Sequence, residues 1–215
     1  MLQIGIIDYD SGNLQSVSKA LAQEGATTRL IQSPDLFSEV DALVLPGVGS
    51  FGSCMESLEK RNLTRALQEW IKADRPFLGI CLGYQLLFEN SEESPGVPGL
   101  NIFKGSVRRF SQTPNIKIPH MGWNTLKRGP SPDASHLWKN LKDSSYVYFV
   151  HSFFPVPADQ NIVAATCSYH VEFAAAITCK NLIATQFHPE KSQATGLAIL
   201  QNFLSLVSLV KTTHS

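Results

Sequence analysis

The sequence carries no surplus of charge: 18 Lys+Arg stand against 18 Asp+Glu. Such a balance gives no net field to draw the chain to nucleic acid or to an anionic membrane. Its densest basic pair, Lys127-Arg128, falls in a loop-like stretch, so no nucleic acid and no membrane are expected as partners. Long apolar runs are missing too; none approaches the roughly 18 residues of a membrane span. The opening residues, Met1-Leu2-Gln3-Ile4-Gly5-Ile6-Ile7-Asp8, lack a basic leader and a small-residue cleavage site. Cysteine is scarce. Cys54, Cys81, Cys167 and Cys179 are too few for a secreted disulfide framework and lack the close pairing of a zinc site. A reducing, cytoplasmic compartment is expected, with no metal or organic cofactor.

Apolar residues make up 43% of the 215-residue chain, enough for a substantial core in one domain spanning 1–215. Leu2–Asp8 is a continuous aliphatic run, the mark of a strand covered on both faces. Asp10-Ser11-Gly12-Asn13 breaks it; Leu14, Val17 and Leu21 then recur at helical spacing until Gly25. Further strands are predicted at Thr27–Ile31, Ala42–Leu45 and Phe77–Ile80, and Leu63, Leu67, Trp70 and Ile71 form a helical stripe between them. This alternation implies a parallel sheet with helices on both faces. After Asn90 come shorter β-like segments at Ser106–Phe110, Tyr146–Phe149, Ile162–Thr166, Ala174–Ile177 and Leu182–Phe187, read as antiparallel strands added at one edge. An amphipathic helix capped near Thr195 closes the chain. The fold class is α/β: an open, mostly parallel sheet flanked by helices, with antiparallel edge strands and a flavodoxin-like core.

The segment Phe77-Leu78-Gly79-Ile80-Cys81-Leu82-Gly83-Tyr84-Gln85 runs from a buried strand straight into a helix. This is the pattern of a nucleophile elbow with Cys in place of Ser. Its two glycines let the backbone pass close to itself. The helix start favours a thiolate on Cys81, and the N–H of Leu82 is placed to meet an oxyanion. Near the other end stands Gln186-Phe187-His188-Pro189-Glu190. In extended geometry His188 and Glu190 leave the backbone on the same side, so the carboxylate can hold one ring nitrogen while the other faces a thiol. The remaining histidines fit the part less well. His136 and His214 lie in polar loop or tail, and His151 and His170 lack such a carboxylate. A third motif, Leu45-Pro46-Gly47-Val48-Gly49-Ser50-Phe51-Gly52, follows a strand. It has neither the lysine of a phosphate-binding loop nor a dinucleotide fingerprint. It can supply main-chain N–H groups from Val48 or Gly49 opposite that of Leu82. Because Val48 lies between two glycines, its peptide unit can flip at small steric cost.

Taken together, Pro-Gly-Val-Gly at 46–49, Gly-x-Cys-x-Gly at 79–83 and Phe-His-Pro-Glu at 187–190 resemble the class I (triad) glutamine amidotransferases, over nearly the whole chain. The resemblance implies a catalytic triad of Cys81, His188 and Glu190, an oxyanion hole at Val48, Gly49 and Leu82, and a glutamine pocket at Gly49, Gln85, Glu93, Ser152 and Phe153. Pro119-His120-Met121-Gly122-Trp123-Asn124, Tyr148-Phe149-Val150-His151-Ser152 and His188-Pro189-Glu190-Lys191-Ser192 further resemble the glutaminase subunits of imidazole glycerol phosphate synthases. That narrower likeness implies a partner, a (β/α)8-barrel cyclase subunit, met by Asn13, Pro119, His120, Met121, Trp123, Asn124 and Lys191. The chain departs from the pattern at His170, Ala184 and Phe153, where Gly, Gly and Tyr are usual. Three rival readings remain: a class I glutaminase serving another synthase, a γ-glutamyl hydrolase on the same scaffold, and a non-catalytic binding subunit.

Overall fold

The computed structural model describes residues 1–10, 12–112 and 116–213; Ser11 and His214, named above, lie outside them. The elements run β1 (Gln3–Ile7), α1 (Leu14–Gln23), β2 (Thr27–Ile31), β3 (Ala42–Leu45), α2 (Phe51–Lys60), α3 (Leu63–Lys72), β4 (Phe77–Ile80) and α4 (Leu82–Gln85). They continue with β5 (Asn90–Ser91), β6 (Gly105–Arg109), β7 (His120–Thr125), β8 (Lys127–Arg128), α5 (Ser135–Trp138), β9 (Tyr146–His151) and β10 (Phe153–Pro157). Last come β11 (Val163–Tyr169), β12 (Val171–Cys179), β13 (Leu182–Thr185) and α6 (Gln193–Thr213).

The main sheet has eight strands in the order β2-β1-β3-β4-β13-β12-β11-β8. From β2 to β13 every neighbour is parallel; β12, β11 and β8 then follow antiparallel. Each parallel strand feeds both faces by simple alternation. Ile4, Ile6, Ala42, Val44, Leu78 and Ile80 pack with α1 and α6 on one side. Ile7, Leu43, Leu45 and Phe77 pack with α2 and α3 on the other. Burial on both faces is why these strands read as unbroken aliphatic runs.

The structure corrects several expectations. Leu182–Thr185 is not an antiparallel edge strand; it lies inside the sheet, parallel to β4. Ser106–Phe110 and Tyr146–Phe149 do not extend the main sheet. β6 pairs with β10 and β5, and β9 pairs with β7, in two small separate sheets. These segments are short and β-like, and a short β-like run does not say which sheet it joins. His120–Asn124, within the motif noted above, belongs to strand β7. Lys127-Arg128 is the short strand β8. The closing helix starts at Gln193, two residues ahead of the expected cap. α6 is long and apolar enough to cross a membrane, yet Ile199, Leu200, Phe203, Leu206 and Val207 are buried against the sheet.

Loops after β1, β3, β4 and β13 meet at the carboxyl ends of their strands, where open parallel sheets place ligands. The approach there is close. A Cβ on Gly83 would sit 1.8 Å from the Leu45 carbonyl oxygen, and one on Gly47 would sit 2.6 Å from the Tyr9 hydroxyl. Tyr9 donates from that hydroxyl to the Pro46 carbonyl at 2.7 Å, fixing the glycine loop against the elbow. Gly83→Ala is therefore expected to destabilise the fold by at least about 3 kcal/mol, since backbone must shift to admit the methyl group. Gly25→Ala, with open space around its Cβ position and φ +86°, should cost only about 1 kcal/mol. Urea unfolding of the two variants checks the contrast.

Candidate active site

Cys81 follows β4 directly and caps the next turn at φ 55°, ψ −107°, a combination that L-residues avoid and that costs on the order of 1–3 kcal/mol. The strain is held by the surroundings. The Cys81 N–H donates to the Thr185 carbonyl of β13 at 2.7 Å, and its own carbonyl accepts from Tyr84 and Gln85. The helix that follows is a single turn, so no long dipole stands behind the sulfur. What the turn does provide is the N–H of Leu82, which lies at its first position and which the turn cannot itself use.

β13 delivers His188 to the same end of the sheet. Its backbone N–H donates to the Tyr148 carbonyl at 3.0 Å, and Ser192 Oγ donates to the His188 carbonyl at 2.7 Å. Glu190 reaches the ring from a 3₁₀ turn over Pro189–Lys191, rather than by strand alternation. Nδ1 of His188 lies 2.8 Å from Glu190 Oε1, with the two side chains 4% and 1% exposed. A carboxylate accepts, so Nδ1 carries the proton and Nε2 is left to act as a base. Nε2 has no hydrogen-bond partner among the described residues; the Cys81 thiol is the group it faces in the cavity. Burial disfavours the imidazolium, but Cys81 and Glu190 outweigh it and hold the His188 pKa above its ordinary value.

A cavity of about 310 Å³ opens on this pair, lined by Gly47, Val48, Gly49, Cys81, Leu82, Gln85, Glu93, Pro119, Val150, His151, Ser152, Phe153 and His188. It brings together the expected triad cysteine and histidine, the three expected oxyanion residues and all five expected pocket residues. Glu93 Oε2 accepts from the Phe51 N–H at 2.7 Å, capping α2, which leaves its other oxygen for a ligand. Gln85 Nε2 donates to the Phe153 carbonyl at 2.9 Å and to Gln186 Oε1 at 3.0 Å. Both amide hydrogens of Gln85 are thus used, and its Oε1 is the atom with which it can meet a ligand. The Val48 carbonyl accepts from Cys54 Sγ at 3.5 Å, so the Val48–Gly49 peptide is turned toward α2. A wider cleft of about 410 Å³ near Cys179 and Lys180 has no histidine in its lining, and burial raises the pKa of its cysteine. Among the described residues no cluster of side chains fits a metal ion.

The β7–β9 ribbon borders the cavity. Met121 and Trp123 point outward, 63% and 45% exposed, and Asn13, Pro119 and Lys191 are also at the surface. His120 is the exception among the expected partner-facing residues: it is buried, stacked between Tyr169 at 3.9 Å and Phe149 at 4.7 Å. Its partner is His151, whose importance the sequence concealed because the two are 31 positions apart. The Phe153 carbonyl, 2.8 Å from His151 Nδ1, can only accept, so that nitrogen holds the proton. His151 Nε2 then accepts from His120 Nδ1 at 3.0 Å, and His120 Nε2 accepts from Asn124 Nδ2 at 3.3 Å. Each ring has one proton and one place for it.

The sequence profile of Glutamine amidotransferase class-I matches residues 5–207, and the chain belongs to that family. Relatives narrow the assignment within it. The imidazole glycerol phosphate synthase subunit HisH of Thermosynechococcus vestitus is 53% identical over 205 residues, 95% of this chain and 97% of that one. HisH of Geobacter sulfurreducens is 46% identical over 94% and 98% of the two chains. Similar solved structures include PurLQS from Thermotoga maritima, at TM-score 0.75 and 17% identity over 95% and 99% of the chains. A putative GMP synthase subunit from Thermoplasma acidophilum superposes at TM-score 0.72 with 20% identity over 100% and 98%. These last two show the shared fold.

Burial lowers the His120 pKa to about 4. At His151 burial, opposed by the bond to Phe153 and aided by the neighbouring His120 and His188, lowers it to about 3. Both rings are neutral when folded, whereas the unfolded chain protonates them near pH 6.5. Their contribution to stability is present above about pH 6.5 and lost as pH falls toward the folded values. Urea unfolding between about pH 6 and pH 4.5 should show a loss of roughly 2 kcal/mol per pH unit from this pair. A double His120→Asn, His151→Asn variant should show a shallower slope.

Proposed function

We propose that this chain hydrolyses L-glutamine to glutamate and ammonia and supplies the ammonia to a (β/α)8-barrel cyclase subunit, which forms imidazole glycerol phosphate and an aminoimidazole carboxamide ribonucleotide in histidine biosynthesis. One observation carries the chemistry: a strained, buried cysteine shares a cavity with a buried imidazole whose Nδ1 is held by a carboxylate and whose Nε2 is open. In this reading Cys81 Sγ gives its proton to His188 Nε2 and attacks the side-chain carbonyl carbon of glutamine. The N–H groups of Leu82 and of Val48 or Gly49 meet the oxyanion. Collapse of the tetrahedral intermediate breaks the C–N bond, His188 protonates the leaving nitrogen, and ammonia departs. Water, deprotonated by His188, then cleaves the γ-glutamyl thioester and restores the thiol. Glu93 is suited to the substrate ammonium group and Gln85 Oε1 to a donor on the amino-acid head.

Chemistry and kinship both support such a partner. Free ammonia in neutral water is almost all ammonium, which is no nucleophile, so a glutaminase needs an acceptor close by. Met121 and Trp123 are exposed on the β7–β9 ribbon, whose Val150 and His151 line the cavity, and the HisH relatives are named as synthase subunits. A cytoplasmic location suits a biosynthetic subunit whose four cysteines form no disulfide.

Cys81→Ala should abolish glutamine hydrolysis while a complex of this chain with the cyclase still uses added ammonia. Residual turnover at the unaltered level would defeat the mechanism. Glutamine turnover is also expected to be low for the chain alone and to rise about 10²–10³-fold with cyclase and its ligand bound, if docking supplies one oxyanion donor by turning the Val48 peptide. Steady-state assays under three conditions (chain, chain with cyclase, chain with cyclase and ligand) decide this. Full activity of the chain alone would remove the switch.

A further inference from the structure

Gln186 lies next to the triad in sequence and has no part in the chemistry so far. It is fully buried, and its Nε2 stands 3.8 Å from Cys81 Sγ, within reach of a weak N–H···S hydrogen bond. Which end of an amide faces a sulfur is ordinarily a matter of assignment; here a chain of neighbours decides it. The Phe153 carbonyl can only accept, so the Gln85 atom 2.9 Å away is nitrogen. The same nitrogen lies 3.0 Å from the Gln186 amide, which must therefore present its oxygen there. Nε2 of Gln186 is left pointing at the sulfur. The Phe153 carbonyl is in turn pinned from behind by His151 Nδ1 at 2.8 Å. The direction of every hydrogen bond from His120 to Cys81 is thus set by one backbone oxygen.

The sulfur meets two opposed dipoles. The Val150 carbonyl lies 3.9 Å away and can receive a proton from the thiol, which favours the neutral form. The Gln186 N–H favours the anion. We propose that Gln186 is a further residue of the hydrolytic site: aimed by Gln85, its amide N–H stabilises the Cys81 thiolate and holds the sulfur in position to attack. The ionisable groups facing that sulfur are His188, backed by Glu190, with His151 and Glu93 farther along the cavity wall. The proposal rests on Cys81 being the nucleophile, which the turnover of Cys81→Ala tests separately.

The test is the rate at which iodoacetamide alkylates Cys81 as a function of pH, with the labelled cysteine identified by peptide mass spectrometry. Gln186→Met keeps the length and removes the donor. Its rate at neutral pH should fall about tenfold, the usual worth of a hydrogen bond to a charged group, with the profile displaced to higher pH. Gln186→Glu keeps an acceptor for Gln85 and turns a carboxylate oxygen on the sulfur, so its displacement should be larger. Gln85→Met leaves Gln186 in place without its lock and should give a smaller displacement in the same direction. A role in packing alone would lower the melting temperature and leave the profile unmoved. Unchanged profiles in the folded variants, Gln85→Met included should the Gln186 variants not fold, would overturn the proposal. If those profiles are unchanged while turnover still depends on Cys81, only the role of Gln186 falls. If Cys81→Ala keeps full turnover, the nucleophile assignment falls instead.

Discussion

The parallel pairing of β4 with β13 is the constraint on which the rest of the site depends. Two strands running the same way end on the same side of the sheet, so Cys81 and His188 emerge as neighbours although 107 positions separate them in the chain. The bond from Cys81 N–H to the Thr185 carbonyl locks that alignment at its last step. An antiparallel pairing of the same strands would send the two side chains to opposite ends. Gly83 and Gly47 then let the elbow and the glycine loop approach to distances no other residue permits. In this way the strained geometry at Cys81 is held by its bond to β13 and by the close packing of the elbow against the glycine loop.

The second organising feature is polarity among buried residues. Buried donors and acceptors cost free energy unless each finds a partner, and around the cavity nearly all do. The Phe153 carbonyl takes two donors, the two histidines share one direction of donation, and Gln85 uses both amide hydrogens. Against that background two buried atoms of the candidate triad stand out as unpartnered among the described residues: His188 Nε2 and Glu190 Oε2. The first is where the proposed chemistry needs a proton to arrive. The ring is held for that task by Glu190 on Nδ1 and by the hydrogen bonds to its own backbone.

Much of this was legible in the residues. Aliphatic runs at β1, β3 and β4 announced the buried parallel strands, and glycine at 79 and 83 around Cys81 announced the elbow. The pairing of the later strands was not legible. β6, β9 and β12 all read simply as short β-like runs, and only tertiary packing assigns them to three different sheets. The short run Leu182–Thr185 looked like its neighbours in sequence, yet it is the strand that carries His188 to Cys81. His120 and His151 were unreadable for a related reason. Their partners are each other, a backbone carbonyl and Asn124, and no spacing in the chain encodes the pairing of the two rings. Gln186 was visible within its motif, but its aim at the sulfur follows from a Phe153 carbonyl 33 positions away in sequence.

The central claim is a covalent one: glutamine hydrolysis runs through a γ-glutamyl thioester on Cys81. Its most direct test is acid quenching of the chain, with cyclase and glutamine present, during the first turnovers, followed by intact-protein and peptide mass spectrometry. The account requires a mass increment of one γ-glutamyl group, confined to the peptide that contains Cys81 and lost as glutamate is released. Turnover at an undiminished rate with the adduct on Cys54, Cys167 or Cys179, or with none on Cys81 under conditions that slow the deacylation step, would contradict it.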